Sequence, residues 1–214
     1  MDSGEWQWPM WQGLFHGAVR EALAAASSTA LLGVQDTHAW ESPMTYVVDD
    51  NQGNVAIAEF SPGGVIAAMS ARALGRPFEW THAIGTAPPP ARGSLRRLCE
   101  APLLQEGMGI SALFWSVGEL IQSAESWVET WSNGAEVFEH ELLTNPEWKG
   151  EGGEYYGLTS EVCDLIIEVA ERAVIGTPIA RLFRHELTML IPPGSDHEGT
   201  AVDLLTASRL FVVG

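Results

Sequence analysis

The sequence predicts an α+β fold: a small antiparallel β-meander packed by several helices, with a mostly helical C-terminal half. Three observations carry this. Three β-prone runs between residues 44 and 69 are separated by Asp50-Asn51-Gln52-Gly53 and Ser61-Pro62-Gly63-Gly64, both rich in turn formers. Apolar residues recur at spacings of three and four near the N-terminus and again from Val162. Hydrophobic residues make up 46% and charged ones 18%, which is ample for a core and excludes a generally disordered chain. The expected organisation is a single compact domain over 1–214. It comprises an N-terminal helix plus meander (1–70), an irregular Pro/Gly-rich segment (71–110) and a mainly helical region (111–214).

The first helix follows from Trp11, Leu14, Phe15, Ala18, Val19, Ala22 and Leu23 on one stripe, with Arg20 and Glu21 off it and Pro9 just ahead. Ser27-Ser28 is the expected stop. A membrane-surface helix would carry a Lys/Arg-rich polar face, which this one lacks, so core packing is predicted. The meander strands are expected over 44–49, 54–60 and 65–69, with asparagine and glycine tolerating positive φ and proline presetting the negative φ of a turn's first central position. Arg76-Pro77 and Pro88-Pro89-Pro90 argue against a long regular element in 71–110. The triple proline reads as a stiff surface excursion and 94–99 as a short helix.

Beyond residue 110 the reading is helical. Leu113, Phe114, Val117, Leu120 and Ile121 lie on one stripe of a predicted helix over 111–123. Trp127, Val128 and Trp131 fall in a second helix that stops at Asn133-Gly134, and 135–143 forms a third. Gly150, Gly152 and Gly153 with Glu151 and Glu154 read as an open acidic loop. Thr159-Ser160-Glu161 then opens the most amphipathic helix, ending at Gly176-Thr177-Pro178. Residues 179–191 fit helix or strand, and 209–213 a terminal strand able to join the meander's sheet. No fixed-period repeat is present.

Composition excludes several functions. With 28 acidic and 11 basic side chains the formal charge is −17, which opposes a nucleic-acid-binding role. The N-terminal Met1-Asp2-Ser3-Gly4-Glu5 carries acids where a signal peptide needs cations. The longest apolar stretch, 22–34, is too short and too interrupted to span a bilayer. A cytoplasmic protein without a membrane partner is expected. Cys99 and Cys163, far apart, are expected as reduced buried thiols.

Catalytic and metal signatures fail on inspection. A zinc-protease helix needs a second histidine four residues after the first; Thr144 follows His140-Glu141 and Met189 follows His185-Glu186 at that place. Asp196-His197-Glu198 reads as a solvated loop cluster and Glu136/His140 as a surface i,i+4 pair. No nucleophile elbow or phosphate loop occurs. Neither metal nor cofactor is expected.

Charge placement remains. Residues 119–161 hold ten glutamates against Lys149, whereas Arg72, Arg76, Arg92, Arg96 and Arg97 share 72–97 with Glu79 alone. The expected function is a non-enzymatic protein-binding module of immunity- or antitoxin-like character, docking a basic protein through an acidic helical surface. Its candidate contacts are Glu125, Glu129, Glu136, Glu139 and Glu141, with Trp127 and Trp131, and also Trp148, as exposed anchors. The alternative is a small-molecule enzyme or ligand sensor with a cleft in 72–110, built from His82, Arg92, Arg96 and Cys99. An assembly subunit is a third reading.

Overall fold

The meander extends further than three strands. In the computed structural model, which describes residues 11–29, 37–42, 44–72, 78–106, 109–176, 180–191 and 211–213, six strands form one antiparallel sheet. They are β1 (Thr37–Ser42), β2 (Thr45–Asp49), β3 (Val55–Ser61), β4 (Gly64–Ser70), β5 (Ala112–Val117) and β6 (Leu120–Ser123). Each pairs with the one before it in sequence, so the order is β1 to β6 without a crossover. The α+β class holds.

The turns work as their residues predict. Asn51 and Gly53 take positive φ (51° and 103°) between β2 and β3. Gly64, at φ 144°, leaves room for Ser116 Oγ, which accepts a 2.8 Å hydrogen bond from the Val65 N–H and ties the β3–β4 turn to β5.

The sheet is covered on both faces. Tyr46, Val48, Ala56, Ala58, Phe60, Ala67, Met69 and Phe114 face α1 (Trp11–Thr29) and the C-terminal helices. Their alternates, Val47, Ile57, Ala68, Leu113 and Trp115, face α2 (Trp80–Thr86), α3 (Pro89–Cys99) and α4 (Pro102–Gln105).

This double cover corrects two expectations. The segment 111–123 is the hairpin β5–β6, not a helix: a strand buried on both faces reads as a continuous apolar run, which periodicity alone does not separate from a helix. Residues 71–110 are not irregular where described, but supply the three helices of the second layer. Pro89 and Pro90 open α3, at positions where a missing N–H costs nothing, so the triple proline is a helix start.

The helices α5 (Trp127–Ser132), α6 (Glu139–Leu142), α7 (Asn145–Tyr156) and α8 (Ser160–Glu171) follow, with a 3₁₀ turn at Ala135–Phe138. The expected open loop at 150–154 is therefore part of α7. Its glycines allow close approach: a Cβ at Gly152 would meet the Trp148 indole and one at Gly153 the Cys163 sulfur. Residues 180–190 contain both elements considered, β7 (Ala180–Leu182) and α9 (Arg184–Leu190). The terminal strand β8 (Phe211–Val213) pairs in parallel with β7, not with the meander's sheet. No helix of the described residues is long and apolar enough to cross a membrane.

Candidate functional site

α1 is buried on nearly every side, packed against β1, α6 and α8. Its two charged residues, expected off the buried stripe, are thereby taken into the interior: Arg20 is 3% exposed and Glu21 0%. Gly17 permits this, since a Cβ there would overlap the Glu141 carbonyl oxygen of α6. The same approach buries Glu141, 1% exposed, which corrects its assignment to an acidic surface.

Two carboxylates thus sit in the core with polar partners from several elements. Glu21 accepts from Trp148 Nε1 and, at 2.7 Å, from the Tyr156 hydroxyl, both on α7; His140 Nδ1 of α6 lies 3.8 Å from its Oε2. Glu141 Oε1 accepts from the Tyr46 hydroxyl at 2.6 Å and lies 3.1 Å from His38 Nδ1. Glu141 Oε2 has no hydrogen-bond partner among the described residues. Arg20 donates to Asn145 Oδ1 at 2.8 Å and to the His140 and Leu143 carbonyls, and its guanidinium stacks 5.0 Å over Trp148.

Electrostatics set the carboxylates apart. Burial and then the Glu141 charge push the Glu21 carboxyl above its ordinary value, so it favours the neutral acid. Burial opposes the charge of Glu141 too, but the His38 and Tyr46 hydrogen bonds and the His38 charge outweigh it and hold that carboxyl low. Burial together with the Glu141 and Glu21 charges pushes the Tyr46 phenol well up. Burial lowers Arg20 against the pull of both glutamates.

The imidazoles reach outward from this cluster. His38 and His140 line one cavity of about 250 Å³ together with Asp50, Asn54, Glu136 and Glu139. Among the described residues, no lysine or arginine lines it. Asp50 is held in place by its turn, accepting from the Gln52 and Asn54 N–H groups and from Asn54 Nδ2 at 2.8, 2.9 and 2.6 Å. Glu136 and Glu139 are exposed. The site can therefore attract a cation at its mouth and carry a proton between the imidazoles and the carboxylates behind them. No group of three His, Cys, Asp or Glu side chains among the described residues is placed to hold a metal ion. The sequence cluster at 196–198 lies outside those residues.

The other predicted residues do not converge. Glu125 and Glu129 serve local structure. Glu125 accepts from Asn133 Nδ2, while Glu129 closes a capping box with Ser126. Trp127 and Trp131 are half-buried against the main core, Trp127 edge-on to Phe114 at 6.0 Å, so they are not exposed anchors; Trp148 is wholly buried.

In the 72–110 segment, His82 and Arg96 are exposed on α2 and α3, and Arg92 Nε donates to the Ala87 carbonyl. Cys99 is buried at the C-terminal end of α3, its thiol pushed up to about 12 by burial and the Glu100 charge. The expected cleft is not assembled from these four: a cavity of about 390 Å³ beside α3 is lined by Pro88, Pro90, Ala91 and Ser94 with the β3–β4 turn, and by none of them. Arg97 pairs with Glu59 and Arg72 donates to the Gln52 carbonyl.

Sequence reasoning missed Arg20, Glu21, His38, Tyr46 and Tyr156. One signal was present: α1 has only two charged residues in nineteen, as expected of a helix surrounded by protein. No protein-family model, curated protein or solved structure matches this chain.

Proposed function

We propose that this protein is an acidic docking module for a basic protein, and that the cavity between β2 and the segment 135–142 receives a lysine or arginine side chain of that partner. The observation that carries the reading is the convergence of Asp50, Glu136 and Glu139 on one cavity. The outer face of α7 supports it: Glu147, Glu151 and Glu154, at helical spacings of four and three, are all exposed. A formal charge of −17 adds a long-range field that speeds encounter with a cation and disfavours self-association. Neutralisation of a basic protein, as by an immunity- or antitoxin-like protein, is the role such a surface suits.

The test is calorimetric titration with a ten-residue oligolysine peptide at low salt. Binding should weaken about tenfold when Glu136 and Glu139 are both changed to Gln, and should weaken with added salt. Equal affinity of the double variant and the parent refutes the placement of the socket.

A second reading has its own observation. Each imidazole in the cavity has a buried carboxylate on its Nδ1 side, an arrangement that orients a general acid–base histidine. On this reading the cavity processes a small cationic molecule. A cavity-bound small molecule in the native mass spectrum of purified protein, displaced by oligolysine, is its expected signature; ligand-free protein at every preparation counts against it.

A further inference from the structure

His38 and His140 belong to two places at once. Each forms part of the acidic cavity wall, and each turns Nδ1 toward a carboxylate buried behind that wall, Glu141 at 3.1 Å and Glu21 at 3.8 Å. We infer that a cation docking in this cavity displaces a proton held by the imidazole–carboxylate cluster, so that partner affinity rises as pH rises. This rests on the docking reading above and names the regulation of the same site.

Proton and cation compete for a single negative field. An imidazole is the side chain whose ordinary charge change falls between pH 5 and 8. A protonated ring in this wall is attracted inward by a buried carboxylate and outward by Glu136, Glu139 and Asp50. A lysine ammonium entering the cavity meets the same acids and repels the protonated ring. Proton and cation therefore exclude each other, and because linkage is reciprocal, docking releases the proton and acid conditions weaken docking.

Charged and polar groups from several elements face both rings. His38 of β1 is faced by Tyr46 of β2, Glu141 of α6 and the edge of Tyr156 of α7. His140 is faced by Glu21 of α1 and the ring of Tyr155 of α7, and its carbonyl by Arg20. Arg20 is a buried positive charge attracted by both carboxylates.

The experiment titrates N-terminally acetylated oligolysine, whose side-chain amines do not change charge in this range, into the full chain between pH 5.5 and 7.5. Two buffers of different ionisation enthalpy count the protons released. Affinity should rise about tenfold over that interval, with up to one proton released per peptide. His140→Asn, at a partly exposed position, should cut the rise to about twofold and keep the salt dependence. His82→Asn, which removes an exposed histidine of α2 outside the cavity, should leave the rise intact. Salt-sensitive binding with no dependence on pH overturns the linkage and leaves the docking reading standing. So does an equal loss of the rise in the His82 variant. Absence of oligolysine binding at every pH overturns the docking reading and the linkage with it.

Discussion

Glu21 and Glu141 are both carboxylates, both wholly buried, and their replacement by glutamine is expected to have opposite signs. At Glu141 the substitution removes the charge that accepts from Tyr46 at 2.6 Å and faces His38 at 3.1 Å. Hydrogen bonds to a charged group contribute about 1.5–3 kcal/mol each. Two of them outweigh the relief from no longer burying a carboxylate, itself several kcal/mol, because removing one partner of a buried pair typically costs about 3–5 kcal/mol. A loss of about 3 kcal/mol at pH 7 is expected, or roughly 6–12 °C in Tm for a chain of this size.

At Glu21 the neutral amide retains an acceptor for Trp148 Nε1 while removing a charge that burial and Glu141 both disfavour. Glu21→Gln should be neutral or stabilising by about 1 kcal/mol at pH 8. The pH dependence follows. Glu21 has a raised carboxyl, so its contribution is fully present below the ordinary carboxyl range and is lost as pH rises through the folded value. Glu141 has a depressed one, so its contribution is present above the ordinary range and is lost as pH falls through the folded value. Urea unfolding of the three proteins from pH 4 to 8 reads both effects. If the two variants shift stability in the same direction by similar amounts at pH 8, the assignment of a raised Glu21 and a depressed Glu141 carboxyl is wrong.

Two further outcomes test the packing that creates the cluster. Gly17→Ala places a Cβ onto the Glu141 carbonyl oxygen, a backbone atom that no rotamer change can move, and should cost at least about 2 kcal/mol in urea unfolding; a change within about 0.5 kcal/mol would show that α1 and α6 are not so close. Cys99, buried with its thiol pushed up to about 12, should resist alkylation by iodoacetamide at pH 8 in the folded protein and react on unfolding; stoichiometric labelling of the native protein refutes its burial.

The legible parts of this chain were those that a few adjacent residues decide. Asn51, Gly53 and Gly64 require positive φ, so both meander turns could be placed from sequence, and the recurrence of Val162, Leu165, Ile166 and Val169 placed α8. The β5–β6 hairpin was misread because Leu113 and Phe114 are buried on opposite faces of the sheet, which erases the alternation that marks a half-buried strand. The glycines of α7 were misread because their reason lies in Trp148 and in Cys163 on a neighbouring helix.

The sequence by itself determined the α+β class and the strong negative charge. Only the tertiary structure decided that Glu21 and Glu141 are interior while Glu139, two residues from Glu141, is exposed. The physical reason is that a carboxylate's environment depends on what packs over it, not on its neighbours in the chain. Residues from α1, β1, β2, α6 and α7, up to 135 positions apart, must meet before Glu21 and Glu141 share one buried cluster.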